Sequence, residues 1–484
     1  MKYSSLRFTL LAGLLGSTFS LSLWAANAPL NKPLPEAAPT EVAKPQAQAQ
    51  QIQDPRKKST ALSFTKAELV QNFSLTRQLL FMALQQSDVR LLEALLPIYQ
   101  GFKQADPLTV QFVQGKLSVQ AQDYAQGIQY FRAILAKNER FNPVRLELAM
   151  ALFQDYQIKE AEQHFIYLQQ EKNPPQINDL IEAYLNAIAQ RREWDFSANA
   201  YYTYTKNVNN VADNVNVEDT GYIKNDSLLP QSAHGIAYSL SLNKDWNLTG
   251  NHYLALESFA QGKFYWDNHD YDDIYARIYA GYKYKQAHRT LALLPFYGRR
   301  WFSNESYNWE QGVRAEFSQW LSQKWQLSLA GEYYRQRYFD VTSQNGNSKM
   351  LSATLLWARN AKQYFYLGSD FTREKTQVKQ YSSDLKSVRF GWGQAWGWHI
   401  QTRLNLSFAI RDYKDKAVLG NILDLGKVRK DKIYQSHLTL WKQDWSKWGF
   451  TPKIRFSYKK QRSNLPTMYS YTDKGLYFLL DKTF

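Results

Sequence analysis

The sequence predicts an α+β multidomain chain, an N-terminal α-helical repeat domain followed by an antiparallel transmembrane β-barrel of about 14 strands. Three observations predict it. From Trp194 to Phe484 the chain repeats one unit: a stretch of about ten residues alternating apolar with polar, a short turn, a second such stretch and a longer polar loop. Between about Phe64 and Gln190 apolar positions instead recur at helical spacing, with a longer period of 34 residues superimposed. Third, the mean hydropathy is negative although aromatic residues make up 15% of the chain. That pairing suits a barrel, which turns half of each strand to lipid and gathers Trp, Tyr and Phe at the membrane interfaces.

In chain order, residues 1–28 read as a signal peptide. Lys2 and Arg7 precede an apolar run from Phe8 to about Trp24, and Ala26-Asn27-Ala28 offers small residues for cleavage. The run falls short of the roughly 20 apolar residues a helical span requires. Residues 29–63 form a Pro/Ala/Gln-rich leader with few large apolar side chains, expected to stay disordered because it buries too little surface to offset its ordering entropy. Residues 64–190 carry the helical repeat: Phe112 is matched by Leu146, Gly115 by Ala149, Gly127 by Ala161 and Phe131 by Phe165, and the next step brings in Leu180 and Ala183. Small residues at these places let paired helices approach, and the phenylalanines fill the next layer, which is a tetratricopeptide-like arrangement. The segment Leu79 to Tyr99 is helical in pattern but fits the period poorly, as a capping repeat does. A generic helical bundle is the alternative; on either reading a periplasmic helical module precedes the barrel.

Residues 194–484 are read as the barrel. In one strand Ile274, Ala276, Ile278 and Ala280 interleave with Tyr275, Arg277, Tyr279 and Gly281; in another Leu404, Leu406, Phe408 and Ile410 interleave with Arg403, Asn405, Ser407 and Arg411. Since Cβ atoms alternate sides along a strand, one face suits lipid and the other a wet lumen. Short turns are expected near Trp246-Asn247-Leu248, Gln286-Ala287, Leu321 to Lys324, Asn360-Ala361, Gln394 to Trp398 and Asp444 to Gly449. Polar loops alternate with them, the longest near Asn209 to Ser232 and Asp412 to Lys432. Counting between them gives the even strand number, which leaves both chain ends of the barrel in the periplasm. Trp246, Trp325, Trp396, Trp398, Trp445 and Trp448 crowd the short-turn side as a periplasmic aromatic girdle. The first and last strands must meet to close the barrel, so Phe196, Ala198 and Ala200 against Leu476, Phe478 and Leu480 form a candidate lateral seam. The terminal aromatic Phe484 resembles the signal read by the outer-membrane barrel assembly machinery.

A barrel of this size leaves room for a lumen. The alternation points Arg277, Arg403, Arg411 and Arg455 into it, with Lys283, Lys453 and Lys459; they form a candidate basic lumen, or they pair with luminal acids such as Glu332 and Asp481. The formal charge of +16 would suggest nucleic acid in a soluble protein, but here the basic residues are dispersed and the route is extracytoplasmic, so acidic lipid headgroups or an acidic partner fit better. Without cysteine the chain has no disulfide, no thiolate metal site and no lipid-modified N-terminal cysteine. The seven histidines show no pair at metal-ligand spacing on one face, so neither metal nor cofactor is expected. Ser436-His437 are adjacent strand residues on opposite faces and cannot act together as nucleophile and base, and no phosphate-binding glycine pattern is present, so no catalytic residue is assigned.

Several stretches together resemble the surface lipoprotein assembly modulator (Slam) family, the type XI secretion translocons, over nearly all of the chain after the leader. They are Trp194-Asp195-Phe196-Ser197 with Asn207-Val208-Asn209, Pro295-Phe296-Tyr297-Gly298-Arg299-Arg300-Trp301-Phe302, Lys324-Trp325-Gln326-Leu327-Ser328 with Glu332-Tyr333, Arg411-Asp412-Tyr413, Arg429-Lys430-Asp431-Lys432, Gly449-Phe450-Thr451-Pro452 and Lys482-Thr483-Phe484. The resemblance implies a tetratricopeptide domain before a 14-stranded barrel in the outer membrane. It also implies translocation of a cargo protein, a surface lipoprotein or a soluble haem- or metal-acquisition protein, together with the barrel assembly machinery and periplasmic chaperones. A passive porin or solute channel with a helical extension is the alternative that similar strands would serve.

Overall fold

The computed structural model describes residues 64–420 and 422–483, so the signal-peptide and leader assignments and Phe484 lie outside the described residues. Eight helices come first: α1 (Lys66–Gln71), α2 (Phe73–Gln86), α3 (Val89–Gln100), α4 (Pro107–Gln120), α5 (Tyr124–Leu135), α6 (Asn142–Gln154), α7 (Ile158–Gln169) and α8 (Pro175–Arg191). Their starts are written in the sequence. Thr65 and Glu68 form a reciprocal capping box on α1, and Asn72, Asp88, Asp106 and Asp123 each accept a backbone N–H at the start of α2, α3, α4 and α5. Pro107 and Pro143 stand in first turns, where their missing N–H costs nothing.

The 34-residue period is the packing period. A Cβ added at Gly115 would lie 2.5 Å from the Phe131 ring, and one at Gly127 would lie 2.6 Å from Val119 and 3.2 Å from the Gly115 carbonyl, so α4 and α5 touch through their glycines. One repeat on, Ala149 and Ala161 are fully buried and Phe165 stacks on Tyr184 of α8 at 4.9 Å. Phe131 and Phe165 share one continuous core running from α5 to α8, while α1 to α3 close a second core of their own around Leu80, Leu92 and Tyr99. The first helix of each pair ends on a left-handed residue, Ser87 (φ 52°), Gln122 (φ 65°) and Tyr156 (φ 63°), spaced by one repeat.

The strands are β1 (Asp195–Thr205), β2 (Ala233–Thr249), β3 (His252–Tyr265), β4 (Asp273–Lys285), β5 (Arg289–Phe302), β6 (Glu305–Ser322) and β7 (Trp325–Tyr338). They continue as β8 (Gly346–Asn360), β9 (Gln363–Thr376), β10 (Ser383–Ala395), β11 (Ile400–Leu419), β12 (Leu423–Lys442), β13 (Phe450–Ser463) and, after the short helix α9 (Pro466–Tyr469), β14 (Tyr471–Thr483). Each pairs antiparallel with its sequence neighbours, and β1 meets β14, so the sheet closes into a 14-stranded barrel. Outward positions such as Ile274, Ile278, Leu291, Leu293, Leu351, Leu355, Leu406 and Phe478 are large, apolar and exposed, as a lipid-facing wall requires. The barrel therefore spans the outer membrane. All six girdle tryptophans are exposed, and Trp325 and Trp357 stack at 5.7 Å on the outer wall.

Two turn assignments shift. Trp246-Asn247-Leu248 stays within β2, because its alternation continues with Trp246 and Leu248 outward; the chain turns at Gly250 (φ 50°), where a left-handed residue is needed. The expected loop Asp412 to Lys432 is mostly strand: β11 runs on to Leu419 and β12 resumes at Leu423, a hairpin whose Ala417 and Leu425 are buried in a cap beyond the membrane.

Candidate functional site

Three features meet on this scaffold: a docked helical module, a charged lumen and an incompletely paired seam under an outer cap. The left-handed turns of the repeat provide the docking. Asp155, 3% exposed at the end of α6, accepts from Asn251 Nδ2 (3.1 Å) and from the Ala287 N–H (3.3 Å), while Asn251 also donates to the Asp155 carbonyl (2.6 Å). The Tyr253 hydroxyl donates to the Tyr156 carbonyl, and the Lys159 N–H donates to Asn247 Oδ1 (2.9 Å). One repeat earlier the Gln122 carbonyl meets His288 Nε2 at 3.2 Å, and Tyr124 stacks on His288. Successive repeats thus sit on successive periplasmic turns, β2–β3 and β4–β5, and Tyr253 of β3 belongs to the same core as Phe165. Between α7, α8 and the barrel lies a cavity of about 960 Å³, lined by Lys159, Glu162 and Arg191 on the helical side and by Asp245, Glu257 and Lys283 in the lumen. The cavity joins the repeat module to the barrel interior.

Inside the barrel, inward positions of β4, β6 and β7 build a buried ion network. Arg277 donates to Glu310 and, through Nη1, to the Tyr279 hydroxyl (2.8 Å), and it pairs with Glu332 at 3.3 Å. Arg314, 2% exposed, donates to Glu332 (2.7 Å) and also pairs with Glu316. Two guanidinium groups face three carboxylates there, so Arg277 is neutralised rather than part of a free basic surface. Pairing of this kind is what makes buried charges tolerable. Lys453 likewise pairs with Asp481. Arg403, Arg411 and Arg455 sit apart from this network on β11 and β13, where Arg403 lies over the Trp441 ring at 5.8 Å and Arg455 reaches Thr439 at 3.4 Å. The structure does not bring the four arginines together. Glu310 and Arg314 were missed from the sequence; continuing the inward parity along β6 and reading its register against β7, where Arg314 faces Glu332, would have found them.

The seam differs from every other strand pair. Along β1 and β2 eleven residue pairs register, from Asp195–Asn243 to Thr205–Ala233. Between β1 and β14 only Ser197 to Tyr201 register, opposite Thr483 to Leu479. Ala198 thus faces Lys482 and Ala200 faces Leu480, whereas Leu476 and Phe478 have partners on β13 but, among the described residues, none on β1. In place of the expected match of Phe196–Ala200 with Leu476–Leu480, it is Ala200 that pairs with Leu480; on its other side β1 is bonded to β2 by Ser197 to Ser241 (2.6 Å) and Asn199 to Ser239 (2.6 Å).

Above the unpaired half, the β1–β2 loop crosses to the β13–β14 loop. Val217 packs with Ala417 and Leu425 of the β11–β12 hairpin and with Leu465, Met468 and Tyr469 around α9. Glu218 Oε1 accepts from the Thr467 N–H (3.0 Å), the Thr467 hydroxyl (2.9 Å) and the Met468 N–H (3.2 Å), and Thr467 Oγ1 accepts from the Glu218 N–H (2.7 Å). Lys224 Nζ donates to the carbonyls of Thr467 and Ala212. Glu218 holds φ 44°, a left-handed conformation that is costly for a residue with a side chain. Nothing local in the sequence signals this contact, whose partners are 249 residues apart.

Comparison with known proteins agrees with this geometry. The family model described as "Surface lipoprotein assembly modifier" matches residues 194–484, and that described as "Surface lipoprotein assembly modifier, N-terminal TPR repeats" matches residues 62–165. "Surface lipoprotein assembly modifier 1" of Haemophilus influenzae is 34% identical over 434 residues, 87% of each chain. "Surface lipoprotein assembly modifier" of Pasteurella multocida is 31% identical over 88% of this chain and 86% of its own. "Hemophilin secretion modulator" of Acinetobacter baumannii is 24% identical over 84% of this chain and 85% of its own. With the matched barrel and repeats covering well over half of its length, the chain belongs to the surface lipoprotein assembly modifier family.

Proposed function

We propose that this protein is an outer-membrane translocon that delivers specific surface lipoproteins, or secreted haem- or metal-acquisition proteins, from the periplasm to the cell surface. The observation that carries the reading is the fixed helical module: its repeats are hydrogen-bonded to two periplasmic turns and share a cavity with the lumen. A passive pore has no need of such a module, while a receptor that receives an extended or chaperone-held chain does. The relatives' names, modifier of lipoprotein assembly and modulator of hemophilin secretion, support the same assignment. The role is transport rather than catalysis. Periplasmic chaperones would present the cargo, and the barrel assembly machinery would insert the barrel through its C-terminal strand, with Phe484 as the terminal signal. Arg403 and Arg455 on the luminal wall would favour acidic or acceptor-rich segments in transit.

The test is protease shaving of intact cells with and without the gene, followed by surface proteomics. One or a few proteins should disappear from the surface and medium while small-solute permeability is unchanged. A chain lacking residues 64–190 should still insert as a heat-modifiable barrel but fail to restore display. Unchanged surface proteins with reduced solute uptake would establish the porin alternative instead.

A further inference from the structure

The unpaired half of the seam carries an inference that rests on the translocon reading and deepens it. Beyond the Tyr201–Leu479 pair, Tyr202 to Thr205 of β1 and Tyr471 to Phe478 of β14 present facing edges with no ladder between them among the described residues. Open sheet edges at membrane depth are costly, since lipid cannot satisfy backbone N–H and C=O groups, and barrels normally close to avoid them. Both edges do have their other sides paired, to β2 and β13, so the walls are otherwise complete. We infer that the outer half of the β1–β14 seam is a docking edge for an extended segment of the exported protein, which adds as a strand there, and that the Glu218–Thr467 contact is the latch that closes this edge between export events.

The chemistry of the edges specifies the segment. Where the two edges face each other the outward positions are Tyr202, Tyr204, Leu476 and Phe478, all exposed, and further along β14 the exposed outward residues are the polar Lys474 and Thr472. Inward, the Tyr201 and Tyr477 rings meet edge to face with centroids 5.1 Å apart, and Lys459 of β13 stands opposite Asp473 of β14. A strand alternating apolar residues with polar, hydrogen-bonding ones fits, its apolar set in lipid and its polar set toward the luminal tyrosines. The latch sits where control of this edge must sit. It joins the loop leaving β1 to the loop entering β14, directly over the unpaired residues.

The natural chain has no cysteine, so introduced pairs report without background. In the full-length protein, Glu218→Cys with Thr467→Cys places thiols where the side chains already touch. Oxidation should lower display of the identified exported protein at least tenfold, and reductant should restore it. A control pair across β8 and β9, Leu355→Cys with Leu367→Cys, should leave display unchanged when oxidised. A photo-crosslinking side chain at Tyr202 or Phe478 should capture that exported protein at least tenfold above one at Leu355. Heat-modifiable mobility of each variant verifies that the barrel has formed. Display that continues at the wild-type level with the latch oxidised overturns the inference, as does seam capture no greater than at Leu355. These failures are separable from failure of the translocon reading, in which the unmodified protein itself supports no display relative to the deletion.

Discussion

Asp155→Ala tests whether the repeat module is held rigidly on the barrel. Its carboxylate accepts two hydrogen bonds across the junction, from Asn251 and Ala287, and one within its own turn, from Gln157 Nε2 at 2.9 Å. Bonds to a charged acceptor contribute about 1.5–3 kcal/mol each, which bounds the junction loss at about 3–6 kcal/mol. The loss is partly offset, because Asn251 Nδ2 keeps the carbonyls of Asp155 and Lys285 as acceptors and the Ala287 N–H sits on a half-buried turn that water reaches. About 2–3 kcal/mol remains, which lowers the docked-to-undocked ratio roughly 30- to 140-fold at about 1.4 kcal/mol per factor of ten. Spin labels at Lys172 and Gln323, both exposed, report the angle between module and barrel. The wild type should give one narrow distance distribution and Asp155→Ala a broad one, with faster hydrogen exchange at Gly250–Asn251 and Gln286–His288. A distribution equally narrow in the variant would sink the argument, since the remaining contacts would then suffice.

Three further outcomes follow from the same geometry. Phe165→Ala removes a fully buried ring stacked on Tyr184 and should destabilise the helical module by about 3–5 kcal/mol, read as an earlier loss of helical circular dichroism while the barrel stays heat-modifiable. Glu332→Gln removes the carboxylate shared by Arg277 and Arg314 but leaves Glu310 and Glu316 to balance the two guanidinium groups, so it should cost only about 1.5–3 kcal/mol, seen as a lower urea midpoint for loss of the folded-barrel gel band. Contact with His164 and the bidentate Arg132 pair hold the Glu160 carboxyl down at about 2, below its ordinary 4.5. Its folded value is depressed, so its stabilisation is complete above 4.5 and is lost as pH falls from 4.5 toward 2. Thermal unfolding of the helical module should show that acid slope, and Glu160→Gln should flatten it; an unchanged slope in the variant would assign the acid sensitivity to other groups.

Much of the architecture was legible because it rests on periods. Alternation along Ile274 to Gly281 fixes which side chains see lipid, and the 34-residue match of Gly115 with Ala149 and of Phe131 with Phe165 fixes which surfaces meet. What periods cannot supply is register between strands far apart in sequence. Alternation points Arg277 inward, yet its partner Glu310 is set by the way β4, β5 and β6 stagger, so a basic lumen and a neutralised one look alike in the sequence. The seam suffered in the same way: closure forces β1 to pair with β14, but how far the pairing extends depends on the stagger of two strands at opposite ends of the barrel, which no period records. The Asp412–Lys432 segment reads as a loop because it is dense in charge, whereas above the membrane a strand carries charges such as Lys414 to Lys416 outward while Ala417 and Leu425 pack in the cap.

The placement of the three features gives the proposed translocon a direction. A captured segment held by the repeats is confined next to the lumen, and tethering of this kind raises its local concentration to the millimolar range without any new contact. That gain exists only if the module is fixed, which is why the Asp155 junction matters beyond stability. At the other end the latch and cap leave the outer edge closed until a strand competes for it. A segment that enters from the periplasm therefore meets a crowded, hydrogen-bonding cavity first and an unsatisfied sheet edge last, a gradient of partners that favours outward movement. Folding outside then removes the segment from the edge, so the latch can re-form.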